Sequence, residues 1–494
     1  LKTLSRLDPA RERRLAIASG GLPGDLDGGE DRVLAALLPG LLKTAALEMA
    51  HVAPIVVHST GTAPAHVASA LLAELSAPGR DVEVVHREGR RLLPRLLECD
   101  VSAAAPHPHP LPLKRGGLYL VTGGLGGIGR QLVQRLVRDH AARVLIVGRS
   151  AVDGSAVDGE GVAAEGKATE RAAAFAALVK TCGADSLRYV RLDIADADAL
   201  AAAVADAETR CGRHLDGIFH LAGEGNLAYH WTVADRHTIA NETPAMFDTM
   251  MRPKVRGMVA VGALLRTRPE ALLVAFSSVN ALYGGATFSA YSSANGFVSA
   301  YAQHLRRRYR HVYAIDWTMW DDVGMSRDNP AYAREASRTM GYRIVSVGDG
   351  WASMCALLCR APDRYVVGLD AGNRHIRPDL VDARPQREAL AAYVELAPGQ
   401  RQFAGDAEFR DTLGHRHRFD LTVCETLPTR EDGTIDRDAL AGLAGAAGER
   451  GDDRAAPRNE AETVLLQVWK QILGLDQVGI HDNFFELGGD SVLS

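Results

Sequence analysis

Leu118-Tyr-Leu-Val-Thr-Gly-Gly-Leu-Gly-Gly-Ile-Gly-Arg130 is the stretch on which the fold turns. Its apolar, β-branched start predicts a strand ending at Thr122, and the glycines predict a turn. Ile128, Leu132, Val133 and Leu136 then fall on one face of a helix. Gly123 and Gly124 let the chain reverse without a Cβ clash, while Gly127 and Gly129 let the helix start approach a pyrophosphate and the strand behind it. With Leu125, Gly126 and Ile128 they complete a turn whose free N–H groups face an anion. A second apolar strand, Arg143–Val147, closes a βαβ unit and runs into Gly148-Arg149-Ser150. Arg149 and Ser150 stand where an acidic residue would select NADH, and a cation there suits the 2′-phosphate of NADPH. Taken singly, Arg149 reads equally as a solvated loop residue.

Downstream the alternation continues. Ala151–Glu170, rich in Ala, Gly, Asp and Glu, reads as a flexible insertion. A helix and the strand Leu187–Asp193 follow, placing Asp193 and Ile194 at a strand's C-terminal end to meet an adenine ring. The strand from Gly217 ends in His220, Ala222 and Gly223, beside the expected ribose. This spacing predicts an α/β fold with a doubly wound parallel sheet.

Upstream, residues 1–28 are charged and then rich in Gly, Asp and Pro, and read as a linker. A helical pattern from about Asp31, the strand Pro54–His58, a helix from Ala65 to Leu75 and the strand Asp81–His86 repeat the βα alternation without a glycine-rich loop. They predict a second, truncated Rossmann-like subdomain that supports its neighbour. His107-Pro-His-Pro-Leu-Pro112 is a stiff connector, and no ligand cluster near it suggests a metal site.

The 494 residues suggest about three domains. A hydrophobic share of 47%, a charged share of 24% and a net charge of −5 give no reason to expect nucleic-acid binding. No run of 18 apolar residues predicts a membrane span, and the start at Leu1 has no signal-peptide pattern and resembles a piece cut from a longer polypeptide. The six cysteines are scattered. Cys355 and Cys359, at helical spacing in an apolar run, read as buried free thiols of a reducing cytoplasm.

The strand Leu272–Ser278 ends in two serines, and Tyr291 lies thirteen residues past Ser278 in Tyr291-Ser-Ser-Ala-Asn295. With the turn Thr122–Gly129, Asp193, His220-Leu-Ala-Gly223, Lys254 and Trp317–Met325, these residues resemble the short-chain dehydrogenase/reductase superfamily. Within it they resemble the ketoreductase domains of polyketide and nonribosomal peptide assembly lines. The resemblance covers residues 118 to about 325. Hydride arriving at a carbonyl carbon leaves charge on oxygen, so such a site needs a proton donor and aimed hydrogen bonds. Tyr291 is then the general acid and Ser278 the second hydrogen bond. The superfamily's usual lysine, four residues after the tyrosine, is Asn295 here, and a lysine stands instead at Lys254. That exchange resembles the assembly-line enzymes, and it implies that Lys254 lowers the tyrosine's pKa while Asn295 orders a water or the ribose. Trp320 and Met325 line an acyl pocket under the family's lid, or the tryptophans are core. The Leu-Asp-Asp sequence of one stereochemical class is absent, and the tryptophan of the other is Tyr283, so handedness stays open.

Past Asp382 the stretches Arg387–Glu395 and Phe419–Leu440 resemble the small C-terminal subdomain of nonribosomal adenylation domains. Where that family has a catalytic lysine, this chain has Thr434, which implies an inactive relic. Glu460–Leu473 and Val478–Ser491 resemble the start of a carrier domain, with Ser491 as the phosphopantetheine attachment residue. Three residues remain after it, which implies a truncated helical carrier.

The expected layout is a linker over 1–28, a structural subdomain over 29–113 and a catalytic NADPH-binding subdomain over 114–380. An adenylation-like α+β subdomain (385–445), a linker (446–458) and a carrier start (459–494) complete it. The expected activity is NADPH-dependent reduction of a carrier-tethered α-ketoacyl thioester in a depsipeptide module. The alternatives are a polyketide β-ketoacyl reductase and a silent scaffold between adenylation and carrier domains.

Overall fold

The first twenty residues are not a linker. In the computed structural model α1 (Lys2–Ser5) leads to β1 (Arg13–Gly20), which pairs in parallel with β2 (Val52–Ser59). Arg13 and Arg14 give β1 the charge of a connector, and as an edge strand it stays largely half-buried or exposed, so its apolar signal is weak. A 3₁₀ turn, Glu30–Ala36, enters α2 (Leu37–Glu48) before β2, and α3 (Pro64–Ser76), β3 (Glu83–Arg87) and β4 (Arg90–Leu92) follow it. The sheet order is β1-β2-β3-β4, with only β4 antiparallel. The structure describes residues 1–20, 30–59, 63–77, 79, 81–99, 109–152, 162–223, 237–321, 323, 331–381 and short runs between 391 and 470.

The quoted glycine stretch folds as β5 (Leu118–Thr122) and α4 (Gly127–His140), followed by β6 (Arg143–Gly148). Next come α5 (Val162–Cys182), β7 (Leu187–Arg191), α6 (Ala197–Cys211) and β8 (Gly217–His220). Helix α5 begins inside the stretch expected as an insertion, because its alanine-rich composition is good helix material. Then α7 (Pro244–Met251), a π-helical turn (Arg252–Arg256), α8 (Gly257–Leu264) and β9 (Leu272–Ser278) lead to α9 (Asn280–Tyr283) and α10 (Ser289–Arg306). After β10 (Val312–Trp317) come α11 (Ala331–Thr339), α12 (Val347–Leu358) and β11 (Arg364–Val367).

The seven strands are ordered β11-β10-β9-β8-β5-β6-β7, all parallel. Chain order reverses between β5 and β8, and at such a switch point the crevice at the strands' carboxyl ends receives ligands. Leu118 and Leu120 face a core layer with Leu200, Val261 and Val298. Their neighbours Tyr119 and Val121 face the opposite layer with Leu132, Leu136 and Met354. Burial on both faces is why β5, β9 and β10 read as continuous apolar runs.

Helix α2 of the small sheet lies along α10 at backbone contact. A Cβ on Gly40 would sit 2.5 Å from the Ser292 carbonyl oxygen, and one on Gly296 would sit 2.7 Å from that of Ala36. Ser293 Oγ donates to the Leu37 carbonyl oxygen at 2.5 Å.

Residues Leu1–Asp370 form one compact unit and Ala371–Ser494 a second. In the second, β12 (Ala391–Glu395) pairs in parallel with β15 (Asp420–Cys424), and β13 (Glu408–Arg410) pairs antiparallel with β14 (Arg416–Arg418). Thr429 and Ile435 form an antiparallel bridge. Thr434 and Ser491 lie outside the described residues, as does Met325. Cys355 and Cys359 are free and half-buried, not fully buried. Among the described residues, no helix is long and apolar enough to cross a membrane, and no three metal-binding side chains cluster.

Candidate active site

The turn after β5 is a cradle that side chains would fill. Gly123 has φ +71°, and a Cβ on Gly129 would lie 2.3 Å from the Gly123 carbonyl oxygen. Gly126 N–H donates to that same oxygen at 2.9 Å, and as the N-cap of α4 Gly126 brings no side-chain hydrogen bond to the first turn. Gly127 opens the helix, while Leu125 and Ile128 turn their side chains into the core. A Cβ on Gly124 would press within 3.0 Å of Ile146, so that glycine sets the helix close to β6. The geometry suits a pyrophosphate.

Thr122 ties β5 to β8. Its Oγ1 accepts the N–H groups of Leu221 and Ala222, each at 3.1 Å, and lies 3.0 Å from His220 Nδ1. Burial, with help from the Lys254 charge, holds His220 down to about 3, so its ring is neutral. Thr122 then donates to Nδ1, and the proton sits on Nε2, which has no partner among the described residues. Asp193 accepts from the Ala195 N–H at 2.9 Å and from Arg252 Nε at 2.6 Å. Burial alone would raise its pKa, but these bonds and the charges of Arg252 and Arg149 outweigh it and lower it. Ile194 is 7% exposed and packs in the core, so at this position only Asp193 faces outward. Arg149 and Ser150 follow β6, their carbonyl oxygens accepting from Arg191 Nε at 3.0 Å and the Tyr189 hydroxyl at 2.6 Å.

Tyr291 lies in the first turn of α10, packed among Phe247, Met250, Phe288 and Ala290. Lys254 comes from the π-helical turn, a local widening frequent at functional sites. It is 6% exposed, its Nζ 5.9 Å from the Tyr291 ring centre and 3.4 Å from the Phe276 carbonyl oxygen. A Cβ on Gly223 would lie 2.9 Å from Lys254 Cε, so Gly223 leaves the lysine its path. Ser278 ends β9, with its Oγ accepting the Asn280 N–H at 3.3 Å. Asn295 Nδ2 donates to the Tyr291 carbonyl oxygen at 2.8 Å, and its fully buried Oδ1 has no partner among the described residues. The four expected side chains therefore meet at the carboxyl ends of β8 and β9.

One electrostatic expectation is corrected. Burial raises the Tyr291 pKa, and hydrogen bonds from the Ser278 and Asn295 side chains only partly oppose it. Burial likewise lowers Lys254 to about 8, against a weaker upward pull from Asp316. Desolvation thus sets the direction at Tyr291, and the phenol keeps its proton.

Several contributors were not anticipated. Arg252 neutralises Asp193. Ser277 Oγ donates to the Asn295 carbonyl oxygen at 3.0 Å, holding the turn of α10 behind the site. Asp316, fully buried, accepts from Ser299 Oγ at 2.6 Å and pairs with Arg364 at 2.7 Å. An acid inside the apolar run Val312–Trp317 was the available signal. Trp317 and Trp320 are 4% and 7% exposed, contact each other edge-on at 4.9 Å and belong to the core. Tyr283 instead meets Tyr342 with ring centres 6.0 Å apart.

Comparison with known proteins matches two segments of the chain. The KR domain family matches residues 117–322, and the phosphopantetheine attachment site family matches residues 463–494. The chain is 29% identical to the polyketide synthase ThaG of Burkholderia thailandensis over 98% of its own length and 8% of that protein. It is 33% identical to the spectinabilin polyketide synthase system protein NorB of Streptomyces orinoci over 51% of its length and 10% of that protein. It therefore spans about a tenth of these relatives. Among solved structures, an adenylation, ketoreductase and pseudo-Asub multidomain structure of a keto acid-selecting NRPS module matches with TM-score 0.66. The identity is 21%, over 88% of this chain and 35% of that one. An A-type ketoreductase from a modular polyketide synthase matches with TM-score 0.57 and 23% identity, over 73% of this chain and 69% of that one. Residues 117–322 thus resemble a KR domain, and residues 463–494 resemble a phosphopantetheine attachment segment.

Proposed function

We propose that the chain is an NADPH-dependent ketoreductase reducing a carrier-tethered α-ketoacyl thioester to the α-hydroxyacyl thioester. The observation that carries this reading is the convergence of Tyr291, Ser278, Lys254 and Asn295 beside the glycine cradle.

In this reading the Gly123–Gly129 turn holds the pyrophosphate, Arg149 and Ser150 the 2′-phosphate, Asp193 the adenine, and the residues from His220 to Gly223 the ribose. The bound nicotinamide supplies a hydride to the carbonyl carbon. The Tyr291 hydroxyl, protonated at neutral pH, donates its proton to the carbonyl oxygen, and Ser278 donates a second hydrogen bond to it. The Lys254 ammonium then favours the phenolate that remains. Asn295 Oδ1, buried and without a partner among the described residues, orients a water or a ribose hydroxyl.

The substrate carbonyl is placed α because the solved relative described above is a keto acid-selecting module, and because an adenylation-like segment follows the reductase. The second reading, a β-ketoacyl substrate, is favoured by curated relatives that are polyketide synthases. In either, Ser491 carries phosphopantetheine, the 29–113 subdomain is structural and the 385–445 segment is an inactive relic.

Purified chain offered α- and β-ketoacyl pantetheine thioesters with NADPH or NADH decides between them. Faster turnover of the α-keto compound with NADPH is expected. Preference for the β-keto compound transfers the assignment to the second reading, and no reduction of either supports the scaffold.

A further inference from the structure

We propose that Glu48, on the helix of the small sheet, is a positioning residue for the Tyr291–Lys254 pair; this rests on the reductase reading above. Glu48 is the last residue of α2. Its Oε1 accepts the Thr287 N–H at 2.8 Å, and its Oε2 accepts the Ile239 N–H at 2.7 Å. One carboxylate therefore holds two segments nearly fifty residues apart in the chain, and each leads into a reacting side chain.

Thr287 lies two residues before α10 and four before Tyr291. It has φ +66°, a left-handed conformation that a β-branched residue keeps only when its surroundings impose it. The surroundings come from α2. Besides Glu48, Thr44 Oγ1 accepts the Gly285 N–H at 3.3 Å, and a Cβ on Gly284 would lie 2.7 Å from the Thr44 nitrogen.

Ile239 leads into α7, whose C-terminal end becomes the π-helical turn bearing Lys254. Its side chain is 4% exposed and packs with Ala45, Met49 and Val52 of the small sheet unit. Phe247 and Met250 of α7 in turn pack against Tyr291. Fixing both segments from one carboxylate sets the lysine relative to the phenol. A small displacement of either one changes that separation, and misplacement of catalytic groups lowers turnover more than binding.

The test is Glu48→Gln, nearly isosteric but with one acceptor oxygen, so that its amide holds one of the two N–H groups and opposes the other. Glu48→Asp and Tyr291→Phe accompany it. For Glu48→Gln, turnover per folded, NADPH-binding molecule is expected to fall about tenfold, with NADPH affinity unchanged and partial recovery in Glu48→Asp. Hydrogen exchange at the Thr287 and Ile239 amides is expected to accelerate. A purely structural role would instead lower the melting temperature and leave turnover per folded molecule intact. Turnover within twofold of wild type, or unchanged protection of both amides, overturns the proposal. If Tyr291→Phe retains full turnover, the proton-donor role of Tyr291 in the reductase reading fails, and the exchange measurement still decides whether Glu48 clamps the two segments.

Discussion

Replacing Lys254 with methionine separates what this side chain costs the fold from what it gives the site. Burial, against a weaker pull from Asp316, lowers its pKa from 10.5 to about 8. At about 1.4 kcal/mol per tenfold change in proton affinity, keeping the ammonium charged here costs the native state about 3 kcal/mol near neutral pH. The sign follows from linkage. Below about 8 both native and unfolded chains hold the proton and the penalty is complete; between about 8 and 10.5 only the unfolded chain holds it, so wild-type stability rises with pH; above 10.5 the penalty is gone. Methionine keeps most of the apolar stem and carries no charge. Lys254→Met should therefore melt roughly 5 °C higher than wild type near neutral pH, with the gain shrinking as pH rises through that interval. In the same protein, reduction should fall about a hundredfold, because the ammonium no longer offsets the charge left on Tyr291. Heat or urea denaturation across the pH range, beside a thioester reduction assay, gives both numbers. A variant less stable than wild type near neutral pH, or a gain that does not shrink above about pH 8, refutes the account of Lys254 as a charge buried for the reaction.

Further outcomes are open to measurement. Gly129→Ala puts a Cβ 2.3 Å from the Gly123 carbonyl oxygen, and nucleotide titration should show affinity weakened at least about tenfold, with about 1–3 kcal/mol lost in denaturation. Arg149→Ala should raise KM for NADPH about tenfold and leave that for NADH unchanged in steady-state assays, if the guanidinium meets the 2′-phosphate. Burial, reinforced by the Glu48 charge and opposed by Ser289 and Lys2, raises Glu242 to about 7. Its contribution to stability is complete below 4.5 and is lost as pH rises through about 7. Glu242→Gln should therefore raise the melting temperature above neutral pH and leave it little changed in acid.

The parts of this fold that were legible in sequence were those whose signal is local. The βαβ unit from Leu118 to Val147 announces itself through apolar runs and a turn only glycine can make, and Ser278, Tyr291 and Asn295 keep a fixed spacing along one strand and one helix. Strand β1 was hidden because an edge strand needs no continuous apolar run, and Arg13 and Arg14 gave it the look of a linker. The N-terminal part of α5 was hidden by an alanine, glycine and glutamate composition shared by helices and flexible segments. Glu48 could not be read at all, since its partners lie 191 and 239 residues away. The balance at Tyr291 escaped for a related reason: sequence shows that a lysine is present, whereas burial, a property of the packed site, decides the direction of the shift.

The most direct test of the central claim is Tyr291→Phe, which removes one oxygen and leaves the ring packing with Phe288 and Met250 in place. With NADPH and an α-ketoacyl pantetheine thioester, single-turnover reduction should slow at least about a hundredfold while the variant binds NADPH as wild type does. Near wild-type reduction by that variant would mean that the phenol delivers no proton, and the assignment of this site would be wrong.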